Sequence, residues 1–129
     1  MGGKGFRGLK VWQKAKDLAV AVYGISREGA LAKDLGLRDQ IRRSAVSIAS
    51  NVAEGDERDT DREAVRFFYV AKGSLAELRT QLQIAFETGQ LAKDAYGQLE
   101  AECERLGQMM GSLIHARSAL YTRDRKAMP

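Results

Sequence analysis

The sequence has few of the residues that interrupt helices. Its one proline, Pro129, is the last residue, so no proline breaks the interior of the chain. Strand-forming residues are sparse, whereas Ala, Leu, Gln, Glu, Lys and Arg are abundant, a composition typical of helices. The sequence therefore predicts an all-α protein.

The sequence is equally poor in the residues of common active sites. It has one cysteine, Cys103, and one histidine, His115. A single cysteine excludes an internal disulfide framework and is typical of a reducing compartment, which predicts a cytoplasmic protein. Cys103 falls on an apolar helix seam and is interpreted as a small core residue. His115 lies among Leu113, Ile114 and Arg117 and is interpreted as a structural or surface histidine. Without Cys/His spacing typical of a metal site, we predict no enzyme activity, no metal and no cofactor.

The sequence also lacks a long apolar run. No segment reaches the length of a membrane span, and the N-terminus lacks the apolar core of a signal peptide, so no membrane partner is expected. With 129 residues, 44% hydrophobic and 29% charged, the chain is predicted to form a single domain over residues 1–129 with frayed ends at about 1–7 and 123–129. The net charge of +4 is distributed with basic ends and an acidic middle, which suits polyanion binding or contacts between subunits.

Four segments carry apolar residues at every third or fourth position, which predicts four helices. The first covers about 9–26, the second 36–54 and the third 60–89, and the seam of a fourth runs through 96–120. Short connections make neighbouring helices antiparallel, so the predicted architecture is an up-down-up-down four-helix bundle with both termini at the end of the 55–60 loop. The last two helices are longer, and the end of their hairpin is expected to project and to meet another subunit.

Local signals define the expected ends of the middle helices. Asp34 is a plausible N-cap of the second helix, and Gly55 is its expected C-terminal stop. Thr60 and Glu63 have the spacing of a capping box at the start of the third helix.

A polar stripe runs beside the apolar stripe of the second helix and is matched on the third. Its members are Gln40, Arg43, Ser47, Asn51 and Glu54, then Arg66, Ser74, Glu77 and Gln81. Folding the two helices back about their loop brings together residues whose numbers sum to about 120. Ser47 is then expected to approach Ser74.

The same register predicts two ion pairs between the helices. Glu54 is expected to face Arg66. Arg43 is expected to face Glu77. Two interpretations stay open: a partly buried hydrogen-bond ladder that fixes helix register, which we favour, and a solvated face whose charges fall opposite by chance.

The segment 40–55 contains the run Ser-x-Ala-Ser-Asn-Val-Ala-Glu-Gly and resembles the signature of the bacterial four-helix-bundle proteins encoded in 23S rRNA intervening sequences. Supporting matches are Phe6, the segment 9–15, Gly36, Leu37, Glu63, Arg66, Phe67, Ala71, Gly73, Ser74, Glu77, Leu78 and Gln81. The resemblance implies a four-helix bundle and ring-shaped homopentamers. It also implies similarity to the accessory protein of diversity-generating retroelements, which binds a reverse transcriptase and nucleic acid. Ala49 and Ala92 depart from the pattern, where the family often has Pro and Ser.

Two functions are compatible with these features. The first is an oligomer that binds RNA or DNA, as an accessory factor, through the outward-facing cations Lys10, Lys14, Arg38 and Arg42. The alternative is a structural or protein-binding oligomer without affinity for nucleic acid. A basic surface on the assembled oligomer, away from its subunit contacts, would distinguish them.

Overall fold

The computed structural model describes residues 5–127, all of whose secondary structure is helical. A short 3-10 helix at Gly5–Gly8 precedes α1 (Lys10–Ile25), α2 (Gly29–Lys33), α3 (Leu35–Asp56), α4 (Asp61–Glu87) and α5 (Lys93–Ala127). The four long helices α1, α3, α4 and α5 pack in that order around one core. The predicted all-α bundle is confirmed, and the stretch expected to be loose between the first two long helices contains α2.

Both predicted N-caps are present. The Asp34 carboxylate accepts a hydrogen bond from the backbone N–H of Leu37 at 3.2 Å and so caps α3. The Thr60 hydroxyl accepts from the N–H of Glu63 at 3.1 Å and caps α4. The second half of the expected capping box is replaced, because the Glu63 carboxylate accepts instead from Arg66 at 3.3 Å.

Contacts at the two ends of the bundle establish the antiparallel topology. At one end, the Arg117 guanidinium of α5 donates to the Asp61 carboxylate at the start of α4 at 2.7 Å. At the opposite end, the Gln90 amide in the α4–α5 turn donates to Asp34, between α2 and α3, at 3.1 Å. Gly5 lies beside Glu57, so the N-terminal turn is at the Arg117 end. The first described residues and the C-terminal part of α5 thus lie at the end of the α3–α4 loop, as predicted.

The core consists of apolar residues that recur at every third or fourth position of the four long helices. Its largest fully buried side chains include Phe68, Ile41, Ile48, Leu78 and Leu82. These residues come from α3 and α4, and the stripes of α1 and α5 cover them through residues such as Val22, Leu106 and Met110.

Gly55 has a different role from the expected helix stop. It is buried inside α3, which continues through Asp56, and its φ is not positive. A Cβ at this position would lie 2.8 Å from Cε1 of Phe68 and 3.0 Å from the carbonyl oxygen of Ala64. The glycine therefore permits close approach of α3 and α4.

The end of the α4–α5 hairpin does not project as expected. The α4–α5 turn packs against the α2–α3 corner, where Leu31 and Leu91 are buried. At the opposite end, α5 continues for about 15 Å beyond Arg117, at 1.5 Å per residue, with Tyr121 packed against the core, and ends at Ala127. The ends expected to be frayed are thus helical at 5–8 and 123–127, and residues 1–4 and 128–129 lie outside the described part.

Candidate interaction surfaces

The polar stripe between α3 and α4 is a short seam of small side chains. The hydroxyls of Ser47 and Ser74 are 2.8 Å apart, which confirms the predicted contact and its register. The Asn51 amide donates to the Ser47 carbonyl oxygen at 2.8 Å and to its hydroxyl at 3.0 Å. Ser74 is buried, so this cluster places satisfied polar groups where α3 and α4 meet.

The longer members of the stripe do not extend the ladder. Glu54 pairs with Arg58 at 3.4 Å, and Arg66 pairs with Glu63, so the predicted Glu54–Arg66 pair is wrong. Each charge pairs with a residue three or four positions away in the sequence. Both side chains stay exposed and avoid the desolvation that a buried pair would require.

The second predicted ion pair is also absent. Arg43 and Glu77 are exposed, and neither forms an ion pair with another residue in the range 5–127. Gln40 is exposed as well, whereas Gln81 is half-buried and its Oε1 has no hydrogen-bond partner among the described residues. The ladder is therefore limited to Ser47, Asn51 and Ser74.

A wide apolar groove of about 720 Å³ runs between α1 and α3. Its α1 wall includes Trp12, Val20 and Tyr23, and its α3 wall includes Val46 and Ala49. Val20 is 64% exposed and Val46 is 41% exposed, which is unusual for large apolar side chains that lie together. Small side chains, Ala49, Ser50 and Ala53, form much of the α3 wall. We call this feature the α1–α3 groove.

Aromatic residues close one end of this groove. Phe6, from the N-terminal 3-10 helix, packs edge-to-face on Trp12 with ring centroids 5.1 Å apart. Trp12 is half-buried, with part of its side chain against the core and part in the groove. The groove-lining positions on α3 form a second apolar stripe at 46, 49 and 53, a periodicity visible in the sequence beside the stripe that fills the core.

The rim of the α1–α3 groove is cationic. Lys16 and Arg27 line it, and none of the described residues that line it is acidic. At the Tyr23–Val46 end it adjoins a second recess of about 510 Å³, which Arg42, Arg43 and Asp39 line. Lys16 pairs with Asp17, whereas Arg27 and Arg43 have no acidic partner among the described residues.

The four cations proposed for nucleic-acid binding do not lie on one surface. Lys14 is exposed in a cleft between α1 and α5, beside Glu102 and Arg105. Lys10 is one helical turn earlier and exposed. Arg42 lies on the opposite side of α1, in the recess beside the α1–α3 groove.

Arg38 and Arg42 are half-buried, so the prediction that both point outward is wrong. Arg42 donates from Nε to the Ser26 hydroxyl at 2.7 Å and lies 4.7 Å from the centre of the Tyr23 ring. Arg38 pairs with Asp39 at 3.0 Å and donates to the carbonyl oxygen of Ala32 in α2. These arginines attach the α1–α2 corner to α3.

The described residues offer little for nucleophilic or metal chemistry. Cys103 is fully buried, and burial raises the pKa of its thiol to about 12, which suppresses the reactive thiolate. Its neighbour Arg79 donates to Glu100 at 2.8 Å, and this hydrogen bond raises the pKa of Arg79. His115 is exposed. Within residues 5–127, no group of three or more His, Cys, Asp or Glu is placed to hold a metal ion, and no helix is long and apolar enough to cross a membrane.

Comparisons with known proteins identify a family and a solved structure with a similar fold. Residues 7–112 match the family model described as 23S rRNA-intervening sequence protein. The chain is similar to a crystal structure of a protein with unknown function from the S23 ribosomal protein family of Bacteroides thetaiotaomicron VPI-5482, with a TM-score of 0.74 and 20% identity. That similarity covers 81% of this chain and 97% of the other. No curated protein matches the sequence.

Proposed function

The chain belongs to the 23S rRNA-intervening sequence protein family, and we propose that it acts as a non-enzymatic binding protein that assembles with copies of itself. The observation that carries the proposal is the α1–α3 groove, whose walls expose Val20, Tyr23 and Val46 together. Five copies is the number that the family resemblance implies.

The physical argument rests on the cost of keeping this groove in water. Fully burying an exposed valine side chain stabilises a complex by about 1.5–3 kcal/mol. Val20 and Val46 lie in one concave surface with Tyr23 and Trp12, so one partner can bury them together. Apolar and aromatic side chains at the centre with charges at the rim are the usual anatomy of a protein interface.

The same residues argue against a catalytic role. The described residues that line the groove include no histidine, cysteine or carboxylate, and the charged ones, Lys16 and Arg27, are cations. The one thiol is in the core with a pKa of about 12, far above the value that a nucleophile requires near neutral pH.

Self-association is tested by light scattering on the full chain and on Val46→Asp. We expect the wild-type protein at about 10 µM to have a mass that is a multiple of the 14.2 kDa chain, since such concentrations populate micromolar complexes. Val46→Asp should have the mass of one chain, because an aspartate in the groove would lose its water on assembly.

Leu35→Asp is the matched control. Leu35 is 59% exposed and does not line the groove, so this variant should assemble like the wild type. A wild-type protein that is a monomer, or a Val46→Asp variant that assembles normally, would refute the proposal.

Nucleic-acid binding is a second candidate, supported by the exposed lysines of α1. Lys10 and Lys14 lie one turn apart, and neither pairs with an acidic residue among those described. Assembly would repeat this small basic patch and increase the avidity for a polyanion. The half-buried Arg38 and Arg42 contribute less, because they already have partners within the chain.

The measurement is retention of RNA and of DNA across salt concentrations. Binding through lysines should weaken steeply as salt rises and should tolerate changes of sequence. Reversing Lys10 and Lys14 to glutamate should abolish retention without changing the mass of the assembly. Equal retention by the reversed variant, or none by the wild type at low salt, would eliminate this candidate.

A further inference from the structure

We infer that the α1–α3 groove of one copy receives the outer surface of α4 from a second copy, an inference that rests on the self-association proposed above. The surface in question, which we call the α4 strip, consists of Tyr69, Val70, Gly73, Glu77 and Ile84. All five residues are exposed.

The shape and charge of the α1–α3 groove disfavour pairing with a second groove. Two concave surfaces placed face to face would leave a void, and interiors of stable interfaces are close-packed. Such a pairing would also bring the rim cations Lys16 and Arg27 of both copies together, with no acidic residue in either groove. Like charges at one interface cost free energy. The better occupant is convex, apolar and not basic.

The α4 strip is convex and exposes apolar side chains, and its own charged member is the acidic Glu77; Lys72 lies at its edge, with Nζ 6.0 Å from the centre of the Tyr69 ring. Tyr69 is 55% exposed, Val70 is 53% exposed and Ile84 is 47% exposed, so this chain has a second apolar surface besides the groove. The strip lies on the side of α4 opposite the core residues Ala71 and Leu78. As the outside of a helix it is convex.

The dimensions of the two surfaces agree. From Trp12 to Tyr23 the α1 wall of the groove is about 17 Å long, and from Val70 to Ile84 the strip is about 21 Å long, at 1.5 Å per residue. A helix that exposes apolar residues along one face, here Tyr69 and Val70 near one end and Ile84 near the other, is a common occupant of a hydrophobic groove.

The charges of the two surfaces are complementary. Glu77 lies between the apolar residues of the strip and has no ion-pair partner among the described residues. Arg27 lines the groove and Arg43 lines the adjoining recess. Neither arginine has an acidic partner among the described residues. A second copy therefore supplies the carboxylate that the cationic rim lacks.

Because groove and strip are different surfaces, each copy offers one of each. The contact is heterologous, so copies join head to tail and not as a pair of equivalent faces. Such an interface predicts a specific behaviour when defective copies are mixed.

The test uses two variants that each lose one surface. Val46→Asp removes the groove, and a variant with Val70→Asp and Ile84→Asp removes the strip. Each is expected to be monomeric alone at about 10 µM. In an equimolar mixture, the intact strip of the first should enter the intact groove of the second and give a complex of two chains that grows no further. Circular dichroism and thermal unfolding check that both variants are folded, and Leu35→Asp is the control that leaves both surfaces intact.

The outcomes separate this inference from the proposed function. If Val46→Asp is monomeric but the strip variant assembles like the wild type, self-association through the groove stands and the α4 strip is not its occupant. If both variants are monomeric and their mixture remains monomeric, the head-to-tail pairing is wrong. If Val46→Asp assembles normally, the proposed function itself fails. A mixture that forms one-to-one dimers, weakened about two- to fivefold by adding Glu77→Gln as expected for a rim ion pair, supports the inference.

Discussion

Replacing Gly55 with alanine tests how much the close approach of α3 and α4 contributes to stability. The added methyl group would lie 2.8 Å from Cε1 of Phe68, 3.0 Å from the carbonyl oxygen of Ala64 and 3.0 Å from Cβ of Phe67. The phenyl ring can rotate or shift, but a carbonyl oxygen and a Cβ belong to the α4 backbone or lie next to it. Relief therefore requires that the two helices separate.

Two effects of opposite sign determine the change in the free energy of unfolding. Alanine is favoured over glycine inside a helix by about 0.8–1 kcal/mol. Overpacking a close-packed site typically costs about 1–3 kcal/mol. With three contacts shorter than ordinary van der Waals distance, one of them to backbone, we place Gly55→Ala at the upper end and expect a net loss of about 1–2 kcal/mol. That corresponds to a fall in Tm of roughly 3–8 °C.

Gly97→Ala is the matched control for this prediction. Gly97 lies inside α5, and a Cβ there would meet nothing within 4 Å. The same chemical change should therefore stabilise the protein by up to about 1 kcal/mol. Both variants should be unfolded in denaturant at one fixed protein concentration, because assembly would make the apparent stability depend on concentration. A Gly55→Ala variant as stable as the wild type would refute the close-approach argument.

Three further predictions follow from contacts described above. Arg117→Ala should lower the free energy of unfolding by about 1–3 kcal/mol in a denaturant titration, because it leaves the half-buried carboxylates of Asp56 and Asp61 unpaired. Arg66→Ala, at an exposed ion pair, should lower it by less than about 1 kcal/mol. Equal losses would show that the difference in burial does not matter. Ser47→Ala should cost about 1–2 kcal/mol in thermal unfolding because it leaves the Ser74 hydroxyl without its partner, and an unchanged Tm would show that the seam is not stabilising. The Cys103 thiol has a pKa of about 12, and only the thiolate attacks an alkylating reagent. At pH 8, alkylation followed by mass spectrometry should therefore be at least about 100-fold slower in the native protein than in denaturant. Comparable rates would mean that the thiol is accessible.

The main features of the fold were predictable because they depend on local rules. Apolar spacing of three and four identifies the helices, and side chains such as Asp34 and Thr60 mark where two of them start. The contact of Ser47 with Ser74 followed from antiparallel geometry around a short loop. The short helix α2 was missed because five residues carry no periodicity that distinguishes a helix from a turn.

The candidate surfaces were less predictable. Long charged side chains such as Glu54 and Arg66 choose among several nearby partners, and the choice depends on exposure and rotamer, which the register does not determine. Arg42 was expected to point outward, but the Ser26 hydroxyl and the Tyr23 ring offer a better environment than water alone. The α1–α3 groove required knowing which helices are neighbours, although the second apolar stripe of α3 was visible in the sequence.

The seam of Ser47, Asn51 and Ser74 also disfavours misaligned packing of α3 and α4 during folding. Many core positions of α3 and α4 are alanine, leucine or valine, residues that would tolerate a slip of one helix past the other by a turn. A slip of four residues along α4 would set the Ser47 hydroxyl against Val70 or Leu78, where it would find no hydrogen-bond partner. Burying such a hydroxyl unpaired costs about 1–3 kcal/mol. Three small polar side chains thus favour one alignment of the hairpin, which the close approach at Gly55 also favours.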